Sequence, residues 1–172
     1  MTENEVITIN KQNVVSKKSK KGYGYTYFTK RSFNKGEITM CGFGKRIDHQ
    51  TPHLSVQIGF KRHYLPTSLT GRYWNHSCEP NTFVRTRKDG FPNLIAERAI
   101  KEGEEVTFGY YMTEFSWSNQ ADEKILKCHC GSKKCRGKIL SFSQLDKQEQ
   151  NNLAKMDKIS DYLKEFCRQR KT

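Results

Sequence analysis

The stretch NHSCEPN, Asn75–Asn81, packs two amides, an imidazole, a thiol and a proline into seven residues. Three jobs suit its cysteine: buried filler, nucleophile, or one corner of a metal site whose other ligands lie elsewhere. A second stretch bears on the choice. Cys128-x-Cys130-x4-Cys135 places three thiols within eight residues, and structural zinc takes four ligands in a tetrahedron. The spacing points to zinc at this cluster and leaves the fourth ligand open. His129 lies between two of the thiols, and alternate residues of a tight turn point apart. Cys41 falls in a strand-like segment. Cys167 lies beside the apolar stripe of a terminal helical stretch, where it reads as a small hydrophobe. Cys78 sits in the turn-prone run Ser77–Asn81, from which a loop can present it.

Composition sets the outer limits. With 172 residues, 34% of them hydrophobic, the chain can bury one core. Aromatics at 12% argue against wholesale disorder. No run of about 18 apolar residues occurs, so no membrane-spanning helix is expected and no membrane partner. The opening MTENEVITINKQNVV lacks a basic region followed by an apolar one, so no secretory leader is expected either. These features place the chain inside a cell, in cytoplasm, nucleus or nucleoid, with export as an effector left open. Six cysteines without a leader favour metal over disulfides. A formal charge of +13 suggests acidic partners, nucleic acid among them, against the plainer reading of scattered, solvated lysines. The basic density peaks in KKSKKGYGY near the start and CRQRKT at the end.

Residues 1–19 read as a polar tail, only partly ordered. Short strand signals follow. YGYTYFT is rich in aromatics and threonine. HLSVQIGF (53–60) alternates, with Leu54, Val56, Ile58 and Phe60 on one face and Ser55, Gln57 and Gly59 on the other. NTFVRTRKDGFPNLIAERAI (81–100) reads as two strands joined at Lys88-Asp89-Gly90. EEVTFGYY (104–111) is a further short strand. From Asp146 the pattern turns helical. Asp146 and Glu149 have capping spacing, and Leu153, Met156, Ile159, Leu163 and Phe166 form one apolar stripe. The expected fold class is mostly β with a C-terminal helix.

Three stretches taken in order, RYWNHSCEPN (72–81), GEEVTFGYY (103–111) and CHCGSKKCRG (128–137), resemble motifs of the SET-domain protein-lysine methyltransferases, the last being similar to the post-SET segment. KKGYGYTYFT (20–29) resembles the family's N-terminal glycine motif. The likeness spans roughly residues 20–140. The terminal helical segment is most similar to small stand-alone members found in bacteria and some microbial eukaryotes. The resemblance implies a SET domain over 20–120, a post-SET zinc segment over 121–140 and a helical extension over 141–172. It also implies a fold of small curved sheets in which the Asn-His and Gly-Glu-Glu segments thread past each other as a pseudoknot. The zinc ligands it implies are Cys78, Cys128, Cys130 and Cys135.

The implied reaction moves methyl groups from S-adenosylmethionine to a lysine ε-amine, a transfer limited by in-line approach and by the need for a neutral amine. Tyr110 matches the family's active-site tyrosine. Phe108 matches the position that influences methyl number, where phenylalanine implies di- or trimethylation. Phe115 and Trp117 are expected to wall the lysine channel, with core packing an equal alternative. Gly22, Tyr23, Gly24, Tyr73, Asn75, His76 and His129 are the implied cofactor residues, with Arg72 read equally as a structural ion pair. Gly109 departs from the family, where aspartate is common, and implies a looser loop. The segment Thr113–Leu126 is expected to order on binding. The implied substrate is a histone, histone-like, ribosomal or other nucleic-acid-associated protein, with Glu79, Glu97, Glu104 or Glu105 available to offset the enzyme's charge and the basic tails available to nucleic acid. The competing reading is a catalytically silent, zinc-stapled module that binds protein or nucleic acid.

Overall fold

The computed structural model describes residues 1–19, 21–22, 24–51, 54–117 and 126–170. Helix α1 (Glu3–Asn13) opens the chain. Its capping box joins the Thr2 hydroxyl, which accepts from Glu5 N, to the Glu5 carboxylate, which accepts from Thr2 N. The polar-tail expectation is therefore corrected, and the reason lies in two asparagines. Asn10 donates to the carbonyls of Cys41 and Thr70 and accepts from Cys41 N, while Asn13 donates to the carbonyls of Ile38 and Thr39. Polar residues here face inward because they satisfy backbone groups along a strand edge.

Strand β1 (Val14–Lys18) pairs antiparallel with β2 (Tyr25–Thr29). Strand β3 (Ile38–Cys41) begins the first three-stranded sheet, and β4 (Gly44–Ile47), β5 (Val56–Gly59) and β6 (Arg62–Pro66) make another, in the order β4-β6-β5. The short strand β7 (Asn75–His76) precedes the hairpin of β8 (Thr82–Thr86) and β9 (Pro92–Ala96), which completes the sheet β3-β9-β8. The hairpin turns at Lys88–Gly90 as the sequence implies, and Gly90 takes the positive φ of 83° that closes it. In the segment 104–111, strand β10 covers only Thr107–Phe108, and Tyr110–Met112 form a 3₁₀ turn.

The pair β7–β10 is parallel, with Asn75 opposite Thr107 and His76 opposite Phe108. Asn81 stitches the two segments: its Oδ1 accepts from Thr107 N at 2.9 Å and its Nδ2 donates to Glu105 O at 2.8 Å. The Asn-His and Gly-Glu-Glu segments thus lie side by side, as the resemblance implies.

The alternation of residues 53–60 is reversed. Leu54 and Phe60 are exposed and Gln57 is buried. Gln57 turns inward because its side chain accepts from Phe115 N and donates to Gly59 O.

The single terminal helix becomes two, α2 (Lys147–Lys155) and α3 (Asp161–Gln169). Asp146 caps α2 by accepting from Glu149 N at 2.7 Å. A Schellman closure ends it, with Asp157 at φ 54°, Asp157 N donating to Ala154 O and Lys158 N to Leu153 O. Met156 consequently leaves the apolar stripe and is exposed, while Ile159, Leu163 and Cys167 pack into the main core with Trp74, Phe108 and Met112. The two helices therefore back the turn that carries Tyr110. Among the described residues, no helix is long and apolar enough to cross a membrane.

Candidate active site

The parallel pair β7–β10 opens onto a cavity of about 580 Å³. One part of its wall comes from Gly24, Tyr73, Asn75 and His76, another from Phe108, Tyr110 and Trp117, and a third from Cys128, His129 and Cys130. Phe115 lies off this cavity. Its ring sits 5.0 Å from Phe60 and 4.9 Å from Phe166, half-buried against the main core, which favours core packing over a place in the channel wall. Gly22 and Gly24 adopt φ of 84° and 86°, and nothing lies within 4 Å of where either Cβ would stand. Their requirement is the left-handed backbone, with no close approach. Tyr23 lies outside the described residues.

Tyr110 is centred between three rings, His76 at 5.3 Å, Phe108 at 5.2 Å and Trp117 at 6.2 Å. Its hydroxyl donates to Trp74 O at 3.0 Å. Its backbone N–H donates to His76 Nδ1 at 3.2 Å. That bond leaves the imidazole proton on Nε2, which faces Cys78 Sγ at 3.4 Å. Burial, with a smaller push from the Arg136 charge, brings His76 down to about 4, so the ring is neutral. His76 thus ties the Tyr110 backbone to the cysteine cluster, and both its nitrogens are engaged within the protein. Asn75 Nδ2 donates to Tyr25 O at 2.8 Å. Tyr73 stacks at a tilt on Tyr25 at 5.4 Å. Trp117 is pinned by its indole N–H to Ile139 O at 3.2 Å.

The four sulfurs of Cys78, Cys128, Cys130 and Cys135 lie within 4.8 Å of one another. A tetrahedral thiolate site with metal–sulfur distances of roughly 2.3 Å has an edge of about 3.8 Å, and Cys78 Sγ stands 3.7 Å from Cys128 Sγ. The donor set therefore suits zinc. Burial raises the Cys128 and Cys78 thiols. At Cys130 burial acts the same way, but hydrogen bonds from the Cys78 backbone and Ser132 outweigh it and bring the thiol down to about 6. Arg136 N donates to Cys78 Sγ, and the Arg136 guanidinium grips Glu149 on α2 with two hydrogen bonds, tying the cluster to the helical end.

Several sequence expectations need revision. Arg72 is exposed on the cavity rim, with no ion pair among the described residues. A Cβ on Gly109 would stand 2.4 Å from the Tyr111 ring, so glycine here makes room for a buried tyrosine. Within Thr113–Leu126, Thr113 and Glu114 are buried, and residues 118–125 lie outside the described residues. Glu79, Glu97, Glu104 and Glu105 each hold a cation of their own, Lys134, Lys158, Arg98 and Lys21, at 3.3, 2.8, 2.9 and 2.9 Å. Sequence reading missed Glu114, a buried carboxyl on the cavity wall. Its signal was a charge four residues after Tyr110, set among Met112, Phe115 and Trp117.

The family model described as "SET domain" matches residues 2–111. The chain belongs to the SET-domain family. The SET match begins where α1 begins, which agrees with the ordered N-terminus, and ends at Tyr111, before the three clustered cysteines. Among known relatives, the chain is 30% identical over 118 residues to "Histone-lysine N-methyltransferase SETDB2" of Xenopus tropicalis, covering 60% of this chain and 16% of that protein. It is 36% identical over 80 residues to "Histone-lysine N-methyltransferase, H3 lysine-36 specific" of Aspergillus fumigatus, covering 45% and 8%. It is 38% identical over 80 residues to human "Histone-lysine N-methyltransferase 2D", covering 43% and 1%. The SET chain thus spans less than a fifth of each of these proteins.

Proposed function

We propose that the chain is a protein-lysine N-methyltransferase that uses S-adenosylmethionine. The observation that carries this reading is the convergence, on one cavity, of Tyr110, the Asn75 strand and the cysteine cluster through the parallel pair β7–β10. Bound there, the donor supplies an electrophilic methyl on a sulfonium. The chain's own residues do the positioning. Tyr110, its hydroxyl directed by Trp74 O and its backbone by His76, orients the lysine amine and offers a weak CH···O contact to the methyl in transit. The aromatic set Phe108, Tyr110 and Trp117 suits a long aliphatic stem and excludes water, which lowers the amine's proton affinity. Phe108 brings no hydroxyl, which supports di- or trimethylation. Gly22, Gly24, Tyr73, Asn75 and His129 form the proposed donor side, with Tyr23 included on the resemblance alone. His76 acts there by holding Tyr110. Cys78, Cys128, Cys130 and Cys135 would hold one zinc, which keeps the third wall of the cavity in place.

The named relatives make a histone the first substrate to consider. With these four glutamates already paired, the +13 charge fits a ribosomal or other nucleic-acid-bound protein better than a bare basic tail. Such a substrate places the chain inside the cell. Calorimetry with the methyl donor and radiolabel transfer to proteome extracts test the reading. Donor binding with transfer to lysine supports it. No heat of binding together with no automethylation would leave only the silent zinc-stapled module.

A further inference from the structure

Glu114 is a buried carboxyl that neither the motif residues nor the cysteine cluster accounts for. It follows Tyr110 by one turn, and its N–H donates to Tyr110 O at 2.8 Å. Its own carbonyl accepts from Phe142 N at 2.8 Å, so the backbone is fixed on both sides. The side chain reaches the opposite wall. Oε1 accepts from Gln57 N on β5 at 2.9 Å and from the Thr113 hydroxyl at 3.2 Å, and Oε2 accepts from Gln50 Nε2 at 2.9 Å. Gln57 returns the contact by accepting from Phe115 N at 2.8 Å. One carboxyl therefore joins Gln50 and Gln57, which bracket the cavity-lining residues Thr51, Leu54, Ser55 and Val56, to the turn that carries Tyr110.

The Gln57 N–H and the Gln50 amide donate to this carboxyl, while the Thr113 hydroxyl has one proton to share between Oε1 and Tyr110 O at 3.4 Å, so the two N–H donors match the ionised form. A proton on Oε2 would meet the Gln50 amide N–H head-on, and that amide would have to turn over or withdraw. Burial pushes Glu114 up to about 7 against the pull of its hydrogen bonds from Gln57, Gln50 and Thr113. The titratable groups nearest it are Tyr64 on β6 and Tyr162 on α3, both kept neutral by burial, while the Gln50 loop, β5 and the Tyr110 turn present only amides and a hydroxyl.

Resting on the methyltransferase reading above, we propose that Glu114 is a positioning residue: ionised, it holds the wall formed by Gln50, Thr51 and residues 54–57 in register with Tyr110 for the incoming lysine, and that wall slackens when the carboxyl takes up a proton.

The test compares wild type with Glu114→Gln across about pH 5.5 to 9 on one lysine substrate found in the extract screen. The lysine amine titrates in both proteins and cancels in their ratio. The ratio of kcat/KM, wild type over variant, should climb from near one at the acid end to about tenfold at the basic end, mainly through KM, with donor affinity unchanged. A ratio that does not change with pH overturns the proposal. Amide exchange at Gln57, normalised to its intrinsic rate, reads the same tie without any turnover. Protection should be low in the variant at every pH and should fall to that level in wild type on acidification, and equal protection throughout overturns the proposal even if the chain transfers no methyl group. Should Glu114→Gln fail to fold, Gln50→Leu removes one donor to the ionised form and should move the wild-type exchange transition to higher pH; an unmoved transition counts against the proposal. Absence of donor binding in all variants defeats the methyltransferase reading separately.

Discussion

The β7–β10 wall and the cysteine wall face the same cavity and are held in different ways. Around Asn75 and Tyr110 the polypeptide ties itself: a parallel strand pair, Asn81 bonded to Thr107 and Glu105, and His76 bonded to the Tyr110 backbone. Around Cys128–Cys135 the backbone closes on itself chiefly through Cys128 N to Gly137 O, Ile139 N to Leu126 O and a single bridge between Lys127 and Lys138. What converges there is four thiols. A wall made of backbone hydrogen bonds forms with the fold, whereas a wall made of thiols forms when something neutralises and binds them. The first wall should survive the loss of the second.

Metal removal is the largest expected effect and the most direct way to break this contrast. Chelation should abolish methyl transfer and collapse the cysteine wall, the apparent binding free energy of such sites being on the order of 10 kcal/mol. Exchange protection at Thr107 and Phe108 should persist, and equal loss at both walls would show that they form together. Cys78→Ser should release the metal, measured as zinc per chain, since Cys78 is the tie between the walls.

The pH dependence of unfolding comes next. Glu114 is an acid whose folded pKa, about 7, lies above the ordinary 4.5. Between those values the folded state binds more protons than the unfolded one, so stability falls as pH rises from about 4.5 to 7 and then levels off. The difference is on the order of 3 kcal/mol, and Glu114→Gln should flatten that part of a denaturation series.

Tyr110→Phe should cost about a hundredfold in turnover, roughly 2.7 kcal/mol of barrier, while donor affinity in calorimetry stays put. An unchanged rate would remove the hydroxyl from the chemistry. The smallest effect is expected for Asn81→Ala. It leaves the Thr107 N–H without its acceptor in the interior and should cost about 2 kcal/mol in denaturant unfolding, with zinc content unchanged. Zinc loss in that variant would mean that the strand wall supports the cysteine wall after all.

Much of the site was legible because its residues cluster in the chain. The three late cysteines announce themselves by local spacing, Asn75–Asn81 and Gly103–Tyr111 by their resemblance to family motifs, and the hairpin at Lys88–Gly90 by its turn chemistry. The failures share a cause. Asn10 and Asn13 read as solvent-facing until β3 offers them backbone partners. Gln57 reads as the outer face of a strand until Phe115 N claims it. Phe115 reads equally as channel wall or core until Phe60 and Phe166 take its ring. Gly109 reads as a loss of restraint until the Tyr111 ring is seen to fill its space.

The sequence by itself determined that three thiols stand at metal-binding intervals, and the family resemblance added a tyrosine after a short strand and an Asn-His pair before a turn. Spacing along a chain dictates such things because neighbours in sequence cannot be far apart. The resemblance implied that Cys78 meets Cys128 fifty residues on, but only the tertiary structure decided that His76 serves Tyr110 and the cysteines together and that Glu114 is buried opposite β5. Burial and partnership across distant segments are set by which surfaces pack together, and a carboxyl, an amide or an imidazole takes its charge and its role from that packing.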